Sequence, residues 1–396
     1  MIRLTEACKN KLDGLCVFRG IREDAVIRAL DIFLQHPATE TYSALFYAML
    51  ERKAFGRLRG YIANLLYYGE GPFAYLCECG TVNPLLLAAA QADIDALGEI
   101  VSVRCADLAA EVRDRADNLP AWAEDTTSPA LPDAETLAAW YRRNGTGIFA
   151  RYTQFQWDNG KLIGVTKPDP VRLSDFVGYE LQRQMVVDNT KRLLQGLPAN
   201  NVLLYGDRGT GKSSTVKAIG NEFGGQGLRI IELPKNQMTD FGKMLRHIEK
   251  SVCKFIIFID DLAFENNEGD YTMLKALLEG GLAAKPENVA IYATSNRRNL
   301  IKETFRDRQA LVSSDPDEEV HASDNMQEKL SLADRFGLRV TFSAPNQSEF
   351  LDIVKGLAKK RGIVAAEDDL CRRALVWEME NNGKSPRTAR QFVDSL

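Results

Sequence analysis

Gly206-Asp207-Arg208-Gly209-Thr210-Gly211-Lys212-Ser213 is the stretch on which the reading of this chain turns. It fits the pattern G-x-x-x-x-G-K-[ST] at every fixed position. Glycines let such a loop wrap so that backbone N–H groups point at phosphate oxygens. The helix that follows adds positive potential at the same point. The flanks suit this reading: Asn201 to Tyr205 supply a strand before the loop, and Ser214 to Phe223 a helix after it. Residues Gly206, Asp207, Arg208, Gly209, Thr210, Gly211, Lys212, Ser213 and Ser214 are therefore expected to cradle phosphates. Lys212 would reach the β- and γ-phosphates of ATP, and Ser213 would bind Mg²⁺.

Outward from the loop, the pattern alternates strand and helix from about residue 171. Val202–Tyr205, Leu228–Leu233, Phe255–Asp260, Val289–Thr294 and Leu338–Phe342 read as strands. This is the layout of a parallel sheet covered on both faces. The run Phe255 to Ile259 ends in Asp260-Asp261, which a buried parallel strand would deliver to its carboxyl edge, where ligands bind. Asp260 is expected to hold Mg²⁺, and Asp261 stands where a water-activating base would be. After Pro345 the pattern turns helical over 346–361, 366–381 and 386–396.

The first 145 residues or so read as helices. Ile21, Ala25, Val26, Ala29, Leu30, Phe33 and Leu34 recur at helical spacing, and Asn83-Pro84 opens a further helix with a cap and a first-turn proline. Tyr67, Tyr68, Phe73 and Tyr75 read as core aromatics. Phe149 to Val165, bracketing Asn159-Gly160, read as a hairpin, with Lys167 to Pro170 as a linker. The expected division is a helical domain over 1–147, hairpin and linker over 148–170, an α/β nucleotide-binding core over 171–344 and a helical lid over 345–396.

Composition narrows the function classes. The chain has 396 residues, too many for one ordinary core, and 45% are hydrophobic, enough for two or three. A net charge of −4 argues against a general nucleic-acid coat protein. Seven irregularly spaced cysteines, Cys77 and Cys79 among them, read as reduced thiols rather than a disulfide framework or zinc site. Charges at Arg3, Glu6, Lys9 and Lys11 interrupt any leader pattern, and the longest apolar stretch is far short of the roughly 18 residues that span a bilayer. The expectation is a cytoplasmic protein with no membrane partner.

Four further segments carry a resemblance to AAA+ ATPases, which spans somewhat over half the chain. Leu173 to Glu180 resembles the stretch that helps hold adenine, with Val177 and Gly178 at the matching positions. Tyr292 to Asn296 resembles the sensor-1 strand end, so the resemblance implies that Asn296, or failing that Thr294, meets the γ-phosphate or attacking water. Ser331 to Gly337 resembles the box carrying an arginine finger, which makes Arg335 the candidate. Gly383 to Arg390 opens a late helix as sensor 2 does in branch-migration motors, with Arg387 matching best and Arg390 one turn on. Asp260 to Glu265, Ala293 to Arg298 and Asp334 to Gly337 are similar to an uncharacterised bacterial AAA+ family with a helical N-terminal region.

The resemblance implies an ATPase that binds and hydrolyses Mg-ATP, with Lys212, Asp261, Asn296, Arg335 and Arg387 as its catalytic set. It also implies a homo-oligomer, ring or filament, in which Arg335 acts in trans, and an unidentified protein partner. Nothing in the sequence supports a nucleic-acid partner. One departure matters: AAA+ proteins carry glutamate where this chain has Asp261, one methylene shorter. A misplacement near 1 Å costs on the order of 100-fold in rate. A nucleotide-dependent assembly switch with little hydrolysis is therefore the second expectation. Glu265 is a substitute base, and Arg306 and Arg308 are rival fingers. The acidic stretch Ser313 to Asp324 reads as a solvated loop. A small-molecule kinase is disfavoured, because no acceptor-binding constellation accompanies the loop.

Overall fold

The five apolar runs expected as strands pair into one sheet, and two more strands join them. The computed structural model describes residues 3–114, 119–122, 125–262, 278, 286–296, 335–381 and 383–396. Glu265, Arg306, Arg308 and the Ser313 to Asp324 stretch lie outside the described residues. The chain folds as two compact units, Met1–Arg151 and Tyr152–Leu396.

The first unit is helical. Among the described residues its helices are α1 (Leu4–Asp13), α2 (Ala25–Gln35), α3 (Thr39–Glu51), α4 (Leu58–Tyr67), α5 (Pro72–Glu78), α6 (Pro84–Val101), α7 (Cys105–Ala110), α8 (Ala134–Asn144) and α9 (Gly147–Arg151). Their starts are written locally. Asp24 accepts from the N–H groups of Val26 and Ile27 at α2, and Asn83 accepts from Leu86 N–H at α6 with Pro84 in the first turn. The apolar faces close on a core that includes Phe33, Tyr42, Phe73 and Tyr141, all essentially buried. Of the aromatic group near α5, Phe73 packs against Phe18 and Tyr141, and Tyr67 against Trp140, whereas Tyr75 is half-exposed.

Two carboxylates in this unit, one buried and one half-buried, fasten backbone. Asp93 on α6 is 5% exposed and takes the N–H groups of Cys16, Val17 and Phe18 on Oδ2 at 3.0, 2.7 and 2.9 Å. Glu111 takes the N–H groups of Leu4 and Thr5 at 2.7 and 3.0 Å, which pins the start of α1. Such donors would otherwise be orphaned at a helix start. Cys77 is buried in α5, and burial pushes its thiol up to about 11, while Cys79 at the end of α5 is exposed.

The second unit is built on the sheet. Its strands are β1 (Gln154–Asp158), β2 (Lys161–Gly164), β3 (Val202–Gly206), β4 (Leu228–Glu232), β5 (Lys254–Ile259), β6 (Val289–Ser295) and β7 (Leu338–Phe342). Their order is β2-β1-β4-β5-β6-β3-β7, parallel throughout except for the β1–β2 hairpin. Asn159 and Gly160 both have positive φ, 47° and 82°, the geometry of a tight hairpin turn. This hairpin does not stand apart: β1 pairs in parallel with β4 and extends the sheet. Phe155 and Trp157 of β1 are 1% exposed, and that burial accounts for the placement.

Helices α10 (Glu180–Leu194), α11 (Lys212–Phe223) and α12 (Phe241–Ile248) flank the sheet. Asn189 and Thr190 on α10 reach the buried Tyr292 hydroxyl, at 3.1 and 2.8 Å. After β7, α13 (Gln347–Lys360), α14 (Glu367–Glu380) and α15 (Pro386–Asp394) form a small body with its own core of Phe350, Val354, Ala374 and Phe392. Among the described residues, no helix is long and apolar enough to cross a membrane. The seven-stranded, mostly parallel sheet with flanking helices and helices after the last strand is the α/β fold expected from the sequence.

Candidate nucleotide site

Strand β3 lies between β6 and β7, and the chain passes from β6 on one side of it to β7 on the other, so the carboxyl end of β3 is where a crevice is expected. The glycine loop fills that end. Gly206 has φ 129°, and a Cβ there would stand 2.2 Å from the Phe342 carbonyl oxygen, so only glycine fits beside β7. Asp207 N–H donates to that same carbonyl at 2.9 Å, and the Asp207 carboxylate caps Ala344 N–H at 2.6 Å. The loop is thereby fixed to the segment that leads into the terminal helices.

A cavity of about 480 Å³ opens above the loop. Phe176, Arg208, Lys212, Ser213, Asp260 and Asp261 line it, with Thr294, Asn296, Arg387 and Arg390. Lys212, 6% exposed, donates from Nζ to the carbonyls of Gly206 and Asp207 at 2.9 and 2.6 Å. Burial holds its pKa below the usual lysine value despite Asp207, Asp261 and Asp260 nearby.

The carboxylates emerge from β5 as its pattern predicts. Ser213 Oγ donates to Asp260 Oδ1 at 2.6 Å, and Thr294 Oγ1 donates to the same oxygen at 2.5 Å. Thr294 Oγ1 also accepts from Asp261 N–H at 2.9 Å. The register Ile259↔Ala293 puts Thr294 across from Asp260, so strand alignment was the signal that could have identified this hydroxyl as a clamp. Asp261 has φ 51°, left-handed backbone that aspartate tolerates better than most residues. Asn296 Nδ2 donates to Asp261 Oδ1 at 2.7 Å.

The donor set fits Mg-ATP. A hydroxyl and a carboxylate oxygen 2.6 Å apart, Ser213 and Asp260, form a hard oxygen pair suited to Mg²⁺. A Cβ at Gly209 would fall 2.9 Å from Ser385 Oγ, so the loop needs its glycine there to keep the cradle shape.

The terminal helices complete one wall. Ser385 caps α15, and Arg387 N–H donates to the Gly209 carbonyl at 3.1 Å, so the helix start rests on the loop. Arg387 and Arg390 both line the cavity. Phe176 also lines the cavity: a Cβ at Gly211 would stand 3.7 Å from its ring, and Arg183 stacks on that ring at 4.8 Å. Lys360 on α13 holds the loop by donating to the carbonyls of Ser174 and Phe176. Val177 and Gly178 sit in the same loop but face α13, against Gly356 and Ile353, and do not line the cavity. Sequence reading stopped one residue short of the side chain that does.

Arg335 is elsewhere. It precedes β7, whose Leu338 pairs with Val202 at the amino end of β3, whereas Phe342 pairs with Gly206 at the loop. About 13 Å of strand separates these ends. Arg335 is therefore not brought to the cavity of its own chain.

A glycine loop at the end of β3, paired acidic groups after β5 two strands away and a helical body resting on the loop define a P-loop module with an AAA+-type fold. Residues 150–396 match the family described as a protein of unknown function, DUF815, and the chain belongs to that family. Solved structures with a related outline include the Thermotoga maritima RuvB Holliday junction branch migration motor, 17% identical, with a TM-score of 0.37. The match covers 57% of this chain and 63% of that one. A mutant of the same RuvB is 16% identical at a TM-score of 0.38, covering 57% of this chain and 64% of its own. This chain thus spans less than two thirds of either structure. Comparison with curated proteins gives no match.

Proposed function

We propose that the protein is an ATPase that binds Mg-ATP in this cavity and hydrolyses it to drive conformational change in, or remodelling of, a partner. The observation that carries the reading is the Ser213–Asp260 pair beside the buried Lys212, under a glycine loop that starts a helix. In this reading Ser213 and Asp260 hold Mg²⁺, which neutralises charge on the phosphates. Gly206 to Ser214 bind the phosphates through backbone N–H groups, and Lys212 adds a positive charge. Asp261, oriented by Asn296, accepts the proton of the attacking water, and Arg387 contacts the phosphates from the helical body. Phe176, with Val177 and Gly178 setting its loop, faces the base.

Arg335 then acts only on a neighbouring copy, which makes the working form a homo-oligomer, ring or filament. The proposed functional division is a helical domain over 1–147, an α/β core over 171–344 to which the hairpin and linker of 148–170 attach through the sheet, and a lid over 345–396, with the helical domain receiving a protein partner in the cytoplasm. The test is Mg-dependent hydrolysis across a protein concentration series, beside Lys212→Ala and Arg335→Ala. The reading expects specific activity to rise with concentration, both variants to lose it, and mixtures of the two to regain part of it. Absence of ATP binding would refute it.

One observation favours a second reading, an assembly switch with little turnover. The Asp261 carboxylate is a methylene short and is already engaged by Asn296. ATP-dependent assembly without phosphate release would select that reading.

A further inference from the structure

The loop carries a charge that its backbone role does not use. Arg208 stands inside the glycine loop, between Asp207 and Gly209, and its exposed side chain lines the cavity. Position along the loop says which end of the cavity it occupies. Phe176 lies against Gly211, which marks one end. Lys212 Nζ rests on the carbonyls of Gly206 and Asp207, which marks the other, where in the ATPase reading the ammonium group would meet terminal phosphates. Arg208 follows Asp207 directly and so belongs to the ammonium end. Gly209, the next residue, touches the start of α15, which brings Arg387 to the same place.

Charge bookkeeping gives the arrangement a meaning. The cavity lining holds four cations, Arg208, Lys212, Arg387 and Arg390, against two carboxylates, Asp260 and Asp261. Bound Mg-ATP adds roughly two negative charges, which one chain's own side chains then balance. Guanidinium groups suit this task, since they present planar donors to phosphate oxygens and stay charged.

We infer that Arg208 is a catalytic residue acting in cis: its guanidinium donates to the terminal phosphoryl group of ATP bound in the same chain and stabilises the charge that develops as that group passes to water. The inference rests on the ATPase reading above. In the step, the water oxygen bonds to the terminal phosphorus, the bond from that phosphorus to the bridging oxygen of ADP breaks, and the water proton goes to Asp261. Arg208 exchanges no proton and acts through charge and hydrogen bonds alone.

The role separates Arg208 from Arg335 by concentration. Arg208 works inside one chain, so its contribution persists when copies are apart. Arg335 is remote from its own cavity, so its contribution needs a second copy. Full-length wild type, Arg208→Ala, Arg208→Lys, Arg335→Ala and Lys212→Ala are compared for Mg-ATP turnover from dilute monomer to assembled protein. Binding of a fluorescent ATP analogue is followed in parallel. Arg208→Ala is expected to lower kcat about 100-fold at every concentration with KM within about threefold, and Arg208→Lys to recover part. Arg335→Ala is expected to lose activity only where wild type assembles.

A kcat for Arg208→Ala within about twofold of wild type, or a loss confined to KM, overturns the inference while leaving the ATPase reading intact. Wild type that binds the analogue without turnover overturns it and favours the assembly switch. Wild type that binds no analogue sinks the ATPase reading as well. Binding by the Arg208→Ala protein serves as the check that it is folded.

Discussion

Two sets of carboxylates in this molecule behave differently. In the helical unit, Asp93 takes three backbone N–H groups on one oxygen, and Glu111 takes two on its own pair. Their capacity is used up by the chain itself. In the sheet unit, Asp260 and Asp261 take side-chain donors from Ser213, Thr294 and Asn296 and line an open cavity. Charge does not tell the two sets apart; their main donors do, and so does exposure at the extremes, with Asp93 buried and Asp261 exposed. Backbone donors predominate where a carboxylate holds the fold, with the Thr5 hydroxyl added at Glu111, and side-chain donors predominate at the cavity, with Asp261 N–H added at Asp260.

Substitutions can break that contrast, and the largest effect is expected at the cavity. Lys212→Ala should reduce Mg-ATP turnover at least about 1000-fold and leave the thermal midpoint close to wild type. A large fall in the midpoint would make Lys212 a structural residue.

The mirror experiment lies in the helical unit. Asp93→Ala orphans three N–H groups and should cost about 3 kcal/mol, read from the denaturant midpoint of the full chain. Amide exchange at Cys16, Val17 and Phe18 should accelerate, and ATP binding should not change. Lost ATP binding with unchanged exchange would erase the distinction.

Thr294→Val keeps the volume and removes the hydroxyl shared by Asp260 and the Asp261 backbone. About a 30-fold fall in kcat is expected, about 2 kcal/mol of misplacement in the two acids. An unchanged rate would mean that Ser213 alone positions Asp260.

The smallest effect is a pH dependence at Glu111. Burial acts to raise its pKa, but hydrogen bonds from Thr5 and Leu4 outweigh it and hold the group below its ordinary value. The stability Glu111 supplies is therefore present above the ordinary carboxylate range and is lost as pH falls through the depressed value. Glu111→Gln should flatten the acid limb of the stability curve for the start of α1. A steeper limb would contradict the assignment.

How far the sequence carries follows from the same contrast. The glycine loop and Asp260 were legible because phosphate and metal chemistry restrict residue types at fixed spacing. The strands β3 to β7 were legible to within a residue or two because buried parallel strands are apolar throughout. The attachment of the β1–β2 hairpin beside β4 was not, since pairing between residues some 75 apart leaves no local mark. Phe176 escaped for a related reason: which side chain of a turn faces inward depends on Lys360 of α13, 184 residues later. By sequence Thr294 stands only as a substitute for Asn296, although the register of β5 against β6 makes it the hub of the acidic pair.

The bond from Arg387 N–H to the Gly209 carbonyl has a mechanical consequence. It acts as a fulcrum, because α15 starts there and its nine residues extend about 13 Å away. A tilt of about 10° at that pivot carries the far end of the helix roughly 2 Å. Helices α13 and α14 share a core with α15 and travel with it. A small adjustment of the glycine loop that tilted α15 would in this way be geared up to a larger displacement at the far end of the helix.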